Sequence, residues 1–208
     1  DAEALPMIQS ASHLASLIGS RICHDLISPI GARHNGLELI SLFGPVQHEA
    51  EISLITQSCH NAASRIKFFR VAFGASGSDR QLSTDTLLDI FMPLINGPRQ
   101  NLHWKIHRSL THREAQALFL AILCIETALP LGGEISVTER GSRLSVEDYS
   151  TKIIVDAAIW DPLTNTSPKH ASLPEHVQFL SLPSIVHEIG RELNVCVQPS
   201  LIRINLSA

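Results

Sequence analysis

The stretch Arg21-Ile22-Cys23-His24-Asp25-Leu26-Ile27-Ser28-Pro29-Ile30-Gly31-Ala32-Arg33-His34-Asn35-Gly36-Leu37-Glu38-Leu39 reads as a helix that breaks its own rules. Apolar or small residues recur at Ile18, Ile22, Leu26, Pro29/Ile30, Leu37 and Ile40, close to the helical repeat. Yet Pro29 cannot donate to the carbonyl of Asp25 and its ring crowds that carbonyl, at a cost of ~3 kcal/mol. Gly31 and Gly36 each cost about 1 kcal/mol more relative to alanine. Two readings of the window stand side by side. The helix stops at Ser28 and a new one starts with Ser28 as N-cap and Pro29 in its first turn, or the helix continues and the violations mark a functional site.

Working outward, Gly44-Pro45 breaks the chain, and a second helical pattern follows through Ile52, Ile55, Cys59, Ala62/Ala63, Ile66, Phe69 and Phe73. Two long helices joined by so short a turn run antiparallel. A lone hairpin cannot cover its apolar stripe, so pairing with a second copy as a four-helix bundle is expected, packing against the rest of the same chain being the alternative. The small, polar stretch from Gly74 to Asp79 is the expected linker. This divides the chain into a helical hairpin, residues 1–77, and a second domain, residues 78–208.

The second domain changes period. Ser83-Thr84-Asp85 opens a helix that ends near Gly97-Pro98, and Leu102–His107 alternates as a strand. Thr111 to Ala128 is an apolar helix, with Thr111 and Glu114 spaced as a capping box. Glu134–Glu139 and Ser142–Asp148 form a hairpin, Leu182–Leu193 a helix, and Val195–Gln198 and Ile202–Leu206 closing strands. The fold class is α+β, the second domain an α/β sandwich with helices on one face.

Composition narrows the function. The 208 residues are 44% hydrophobic and 17% charged, as in ordinary globular proteins. The net charge of −4 argues against nucleic acid, and Arg65, Lys67 and Arg70 read as a solvated helix face. Apolar runs such as Ala117–Ile125 are too short to span a bilayer. Asp1 to Ser10 lacks the pattern of a signal peptide, so a cytoplasmic location is expected. Cys23, Cys59, Cys124 and Cys196 are scattered and expected to be reduced thiols. Cys23-His24 and Cys59-His60 repeat a Cys-His pair, but adjacent helical residues point about 100° apart and do not converge on one ion, so no metal is expected.

His24-Asp25-Leu26-Ile27-Ser28-Pro29 resembles the phosphoacceptor box of two-component histidine kinases: histidine, an acidic neighbour, and proline five residues on. Extended through Asn35-Gly36-Leu37-Glu38-Leu39, it resembles more narrowly the alphaproteobacterial histidine phosphotransferases of the ChpT family, across essentially the whole chain. The resemblance implies a dimeric hairpin and a degenerate kinase ATPase-like domain. It also implies a phosphorelay in two-component signalling, with His24 taking a phosphoryl group from the receiver domain of a hybrid histidine kinase and passing it to a response-regulator receiver. Family precedent suggests partners in cell-cycle control. Any Mg²⁺ is expected from the receiver and no cofactor from this chain.

The residue types suit that chemistry. A largely neutral imidazole offers a ring-nitrogen lone pair without a strong base. Asp25 is expected to orient or polarise the ring through its other nitrogen. Arg21 and Ser28 lie on the His24 face at i−3 and i+4. Arg21, Ile27, Ser28, Ile30, Gly31, His34 and Asn35 are the expected receiver-docking residues. Phosphoryl transfer depends mainly on alignment and charge compensation, which a histidine on a rigid bundle can offer. The other histidines, His34 excepted, carry no expected role.

Compared with a kinase, the turn Ala128-Leu129-Pro130-Leu131-Gly132-Gly133 is kept while the nucleotide residues are not. Cys124 stands where the asparagine is expected. Val146-Glu147-Asp148-Tyr149-Ser150-Thr151-Lys152 has the acid without its glycines, and Thr164–Pro174 has no glycine for a lid. No nucleotide-binding residue is assigned. An ATP-dependent histidine kinase core and a non-catalytic dimeric scaffold are the alternative functions.

Overall fold

A computed structural model of the chain describes residues 4–43, 49–74, 81–95, 100–164 and 173–208. The first helix, α1, runs unbroken from Ala4 to Phe43 with Pro29 inside it. The continuous reading of the His24–Pro29 window therefore holds, and Pro29 is buried instead of starting a new helix at the surface. The second helix, α2, spans Glu49–Ala72. A Cβ at Gly36 of α1 would meet Ile55 of α2, Asp25 faces Arg65, and Ile22 lies beside Phe69. Partner numbers fall on one helix as they rise on the other, so the pair is antiparallel. Gly44-Pro45 and the Gly77/Ser78 boundary lie outside the described residues.

In the second half, α3 (Thr84–Ile95) leads to β2 (Gln100–Trp104), and α4 (His112–Thr127) follows. A two-residue strand before α3, β1 (Gln81–Leu82), pairs antiparallel with β3 (Leu110–Thr111) just ahead of α4. Next come β4 (Gly133–Arg140), β5 (Arg143–Asp148), the short α5 (Ala157–Trp160), α6 (Val177–Glu188), β6 (Glu192–Gln198) and β7 (Leu201–Ser207). Five strands order as β2-β4-β5-β7-β6, with only the β2–β4 pair parallel, as a connection through α4 requires. In register, Leu102 lies beside Ile135, Val137 beside Val146, and Val146 beside Ile204. These side chains are buried, as are Leu118, Ile122 and Ile125 of α4 and Leu182 and Val186 of α6.

Local signals explain several boundaries. Thr111 accepts from the Glu114 N–H and Glu114 accepts from the Thr111 N–H, the reciprocal capping box that starts α4. Gly141 takes φ +61° in the turn between β4 and β5, where an L side chain would be strained. Two expectations need correction. Helix α6 begins at Val177, ahead of Leu182, and passes through Pro183; its buried Val177, Phe179 and Leu182 outweigh the missing bond. It stops at Glu188, and Glu192 already belongs to β6, because Gly190 at φ +67° turns the chain. Likewise β2 ends at Trp104, short of His107.

The hairpin and the second half share a core. Phe68 of α2 stacks on Phe119 of α4 with centroids 5.4 Å apart, and Phe91 of α3 meets Phe119 edge-on at 4.3 Å. The Gln116 side chain donates to the carbonyl of Ala72 at 3.0 Å. The end of α2 is thus covered by its own chain. Farther along the hairpin, Leu37, Ile52, Leu54 and Ile66 stay exposed.

Candidate functional site

His24 projects from the middle of α1 with its side chain 81% exposed, whereas the Asp25 carboxylate is 12% exposed. The His24 Nδ1 lies 3.0 Å from Asp25 Oδ1. Asp25 Oδ2 accepts from the Arg21 Nε–H at 2.8 Å and lies 3.7 Å from the Arg65 guanidinium of α2. A carboxylate so flanked accepts and does not donate, so the Nδ1 of His24 carries the hydrogen. The Nε2 lone pair is then left on the exposed ring.

Spacing by three and four residues puts His24, Ile27, Ser28, Gly31, His34 and Asn35 on one side of α1. Ile27 is 68% exposed and Ile30 49%, large apolar surfaces beside an exposed imidazole. Ser28, His34 and Asn35 are also exposed, and nothing stands within 4 Å of a Cβ built on Gly31. The His34 Nε2 lies 3.3 Å from Glu38. Arg21 departs from this face. Its guanidinium turns inward to Asp25 and donates to the carbonyl of Glu175, in the short turn before α6.

Beside Asp25 a cavity of about 220 Å³ opens between the hairpin and the second half. Arg21, Asp25 and Arg65 line it from the hairpin, and Leu94, Leu123 and Glu126 from the other side. Burial pushes the Glu126 carboxyl up to about 7, against the pull of the Arg21 and Arg65 guanidiniums. Neither Arg65 nor Glu126 stood out in the sequence. Arg65 sat within a basic stripe, and Glu126 near the end of an apolar helix gave no sign that it meets the hairpin.

The positions compared with a nucleotide site are placed as follows. Cys124 is fully buried in the core, where burial pushes its thiol well up, so its side chain faces away from any surface ligand. Asp148 is also fully buried. A Cβ at Gly133 would fall 2.4 Å from one of its oxygens, and neither carboxylate oxygen has a hydrogen-bond partner among the described residues. The stretch compared with a lid lies mostly outside the described residues. Cys23 is exposed and Cys59 half-buried, both as free thiols.

Residues 84–200 match the model of the histidine phosphotransferase C-terminal domain. The protein phosphotransferase ChpT of Brucella abortus (strain 2308) is 38% identical over 141 residues, 67% of this chain. The aligned part spans 66% of the Brucella protein's own length, just under two thirds. A solved structure described as a bacterial phosphotransferase superposes with a TM-score of 0.76 at 26% identity, over 93% of this chain and 95% of that one. The family match lies in the second half, whereas His24 lies in the hairpin.

Proposed function

Since the chain belongs to the histidine phosphotransferase family by the match of its second half, we propose that it is a phosphorelay carrier that holds a phosphoryl group on His24. The observation that supports this most directly is an exposed imidazole whose Nδ1 is tied to a shielded carboxylate. In the first step the Nε2 lone pair attacks the phosphorus of an aspartyl phosphate on a receiver domain. The N–P bond forms as the P–O bond breaks, and the electron pair leaves with the receiver's carboxylate. The ring becomes a phosphoimidazolium that keeps its Nδ1–H, and the negative charge of Asp25 offsets the charge gained. In the second step an aspartate of another receiver attacks the same phosphorus and the electron pair returns to Nε2.

Alignment and charge compensation carry most of such a transfer. Ile27, Ser28, Ile30, Gly31, His34 and Asn35 form the docking face for both receivers, because both must reach one nitrogen. Mg²⁺ comes with the receiver. Arg21 serves this face indirectly, by holding Asp25. Leu37, Ile52, Leu54 and Ile66 are the contact surface for a second copy, giving a homodimer with two docking faces. The second half takes up no ATP, in keeping with a Cys124 sunk in the core. The carrier works in the cytoplasm, where ATP feeds such relays.

The test is transfer of labelled phosphate from a phosphorylated receiver domain to the wild type and to His24→Ala, beside an ATP-only control. Uptake by the wild type from the receiver alone is expected. Equal labelling of His24→Ala would sink the assignment of the site, and labelling from ATP would sink the carrier reading.

A further inference from the structure

Glu126 belongs to α4 of the second half, yet it lines the cavity shared with Arg21, Asp25 and Arg65 of the hairpin. Two guanidiniums and two carboxyl groups line that one cavity, and both guanidiniums lie within 4 Å of Asp25 in this structure. Asp25 gives one oxygen to Arg21 and Arg65 and keeps the other for the His24 Nδ1–H. A carboxylate whose charge is fully met by guanidiniums is a weaker acceptor toward a third donor. How strongly Asp25 holds the imidazole therefore depends on how much of that positive charge is drawn elsewhere.

We propose that Glu126 is a positioning residue for phosphotransfer, drawing Arg21 and Arg65 toward itself so that Asp25 keeps its grip on His24. This rests on His24 as the phosphoacceptor. It gives the second half a part in the chemistry, because the residue that tunes the hairpin's nucleophile is supplied by α4. The groups facing Glu126 are Arg21 and Asp25 of α1, Arg65 of α2, and the uncharged Gln100 of β2. His176, ahead of α6, faces Arg21; burial pushes its ring pKa down, and Arg21 adds to this.

Because burial raises Glu126 to about 7, its charge changes through neutral pH. Below that range Glu126 is protonated, both guanidiniums turn to Asp25, and transfer slows. Above it Glu126 is ionised, Asp25 is released to the ring, and transfer speeds up.

The experiment uses the full chain with a phosphorylated receiver domain as donor, and measures single-turnover uptake from pH 5.5 to 8.5 together with receiver affinity. For Glu126→Gln, uptake at high pH is expected to fall about tenfold, the loss of one charge-assisted contact, with affinity unchanged. Its rate should match that of the wild type at low pH, and Glu126→Asp should recover most of the loss. Adding Arg65→Gln to Glu126→Gln should restore uptake, since the freed guanidinium is then gone. Should Glu126→Gln not fold, Arg65→Gln alone must flatten the neutral step in the profile. An unchanged rate and profile in Glu126→Gln would overturn the proposal, as would a loss that only tracks affinity and is not recovered by aspartate. Labelling of His24→Ala in the same assay would instead strike at the phosphoacceptor itself, and so separates the two failures.

Discussion

The Nδ1 of His24 and Oδ1 of Asp25 are 3.0 Å apart, although one side chain is 81% exposed and the other 12%. Neighbours in sequence are held apart in environment: the carboxylate sits at the mouth of the cavity with Arg21 and Arg65, and the ring stands in the open. The exposed ring is open to solvent, while the shielded carboxylate fixes which nitrogen faces outward.

Asp25→Asn keeps the shape of the carboxylate and removes its charge. A hydrogen bond to a charged partner contributes about 1.5–3 kcal/mol. Phosphoryl uptake from a phosphorylated receiver should therefore fall by about 10- to 100-fold at neutral pH. Rapid-quench measurement of His24 labelling checks it, and a rate within twofold of the wild type would refute it.

Gly31 and Gly36, five residues apart on α1, should respond in opposite ways to alanine. At Gly36 the new Cβ would fall 2.7 Å from Cγ1 of Ile55, too close for real atoms, so the Ile55 side chain or the helix spacing must shift. Overpacking of this kind costs about 1–3 kcal/mol, partly offset by about 1 kcal/mol of helix propensity. Gly36→Ala should lower the urea midpoint. Gly31 has open space around it, so Gly31→Ala should gain about 1 kcal/mol of stability. It should nonetheless weaken receiver binding, because the methyl group stands on the proposed docking face. Urea unfolding and titration with a receiver domain read the two effects separately.

Glu114 links the start of α4 to charges elsewhere in the second half. Burial raises its carboxyl, but hydrogen bonds from Arg108 and from the Thr111 N–H, with the field of Arg191, outweigh it and bring it to about 2 from 4.5. The folded value is depressed, so this stabilisation is present above pH 4.5 and is lost as the pH falls toward 2. At neutral pH it is on the order of 2–3 kcal/mol. Urea midpoints measured from pH 7 to pH 2 should decline less steeply for Glu114→Gln than for the wild type, starting from a lower value at pH 7.

Asp148 carries a buried carboxyl group with no hydrogen-bond partner among the described residues, and such burial costs stability. Asp148→Asn exchanges the acid for a neutral amide at nearly constant shape. It should raise stability by about 1 kcal/mol or more and leave phosphoryl transfer unchanged. A loss of transfer in this variant would mean that the acid retains a role in the relay.

What the sequence revealed and what it hid follow from range. The capping box of α4 and the turn at Gly141 are local devices, visible in a few adjacent residues. His24 stood out through the resemblance of its box, and the reach of Asp25 to its Nδ1 became visible only in the structure. The start of α6 was hidden because Pro183 looks like a helix opening until Val177 and Phe179 are seen to be buried. The inward turn of Arg21 was hidden for a similar reason. Its partners are the carbonyl of Glu175 and a cavity wall supplied by α4, both far away along the chain. Helical spacing placed Arg21 beside His24, but only tertiary packing decided which way it would point.

On the proposed carrier role, a single nitrogen facing outward shapes the traffic between donor and acceptor. The donor's phosphate and the acceptor's must use the same berth, so loading and unloading exclude each other on any one chain. Unphosphorylated donor then competes with the acceptor for loaded carrier and can take its phosphate back. The direction of flow is left to the relative abundance and phosphorylation of the two receivers, and a cell could reverse it by changing their ratio without altering the carrier at all.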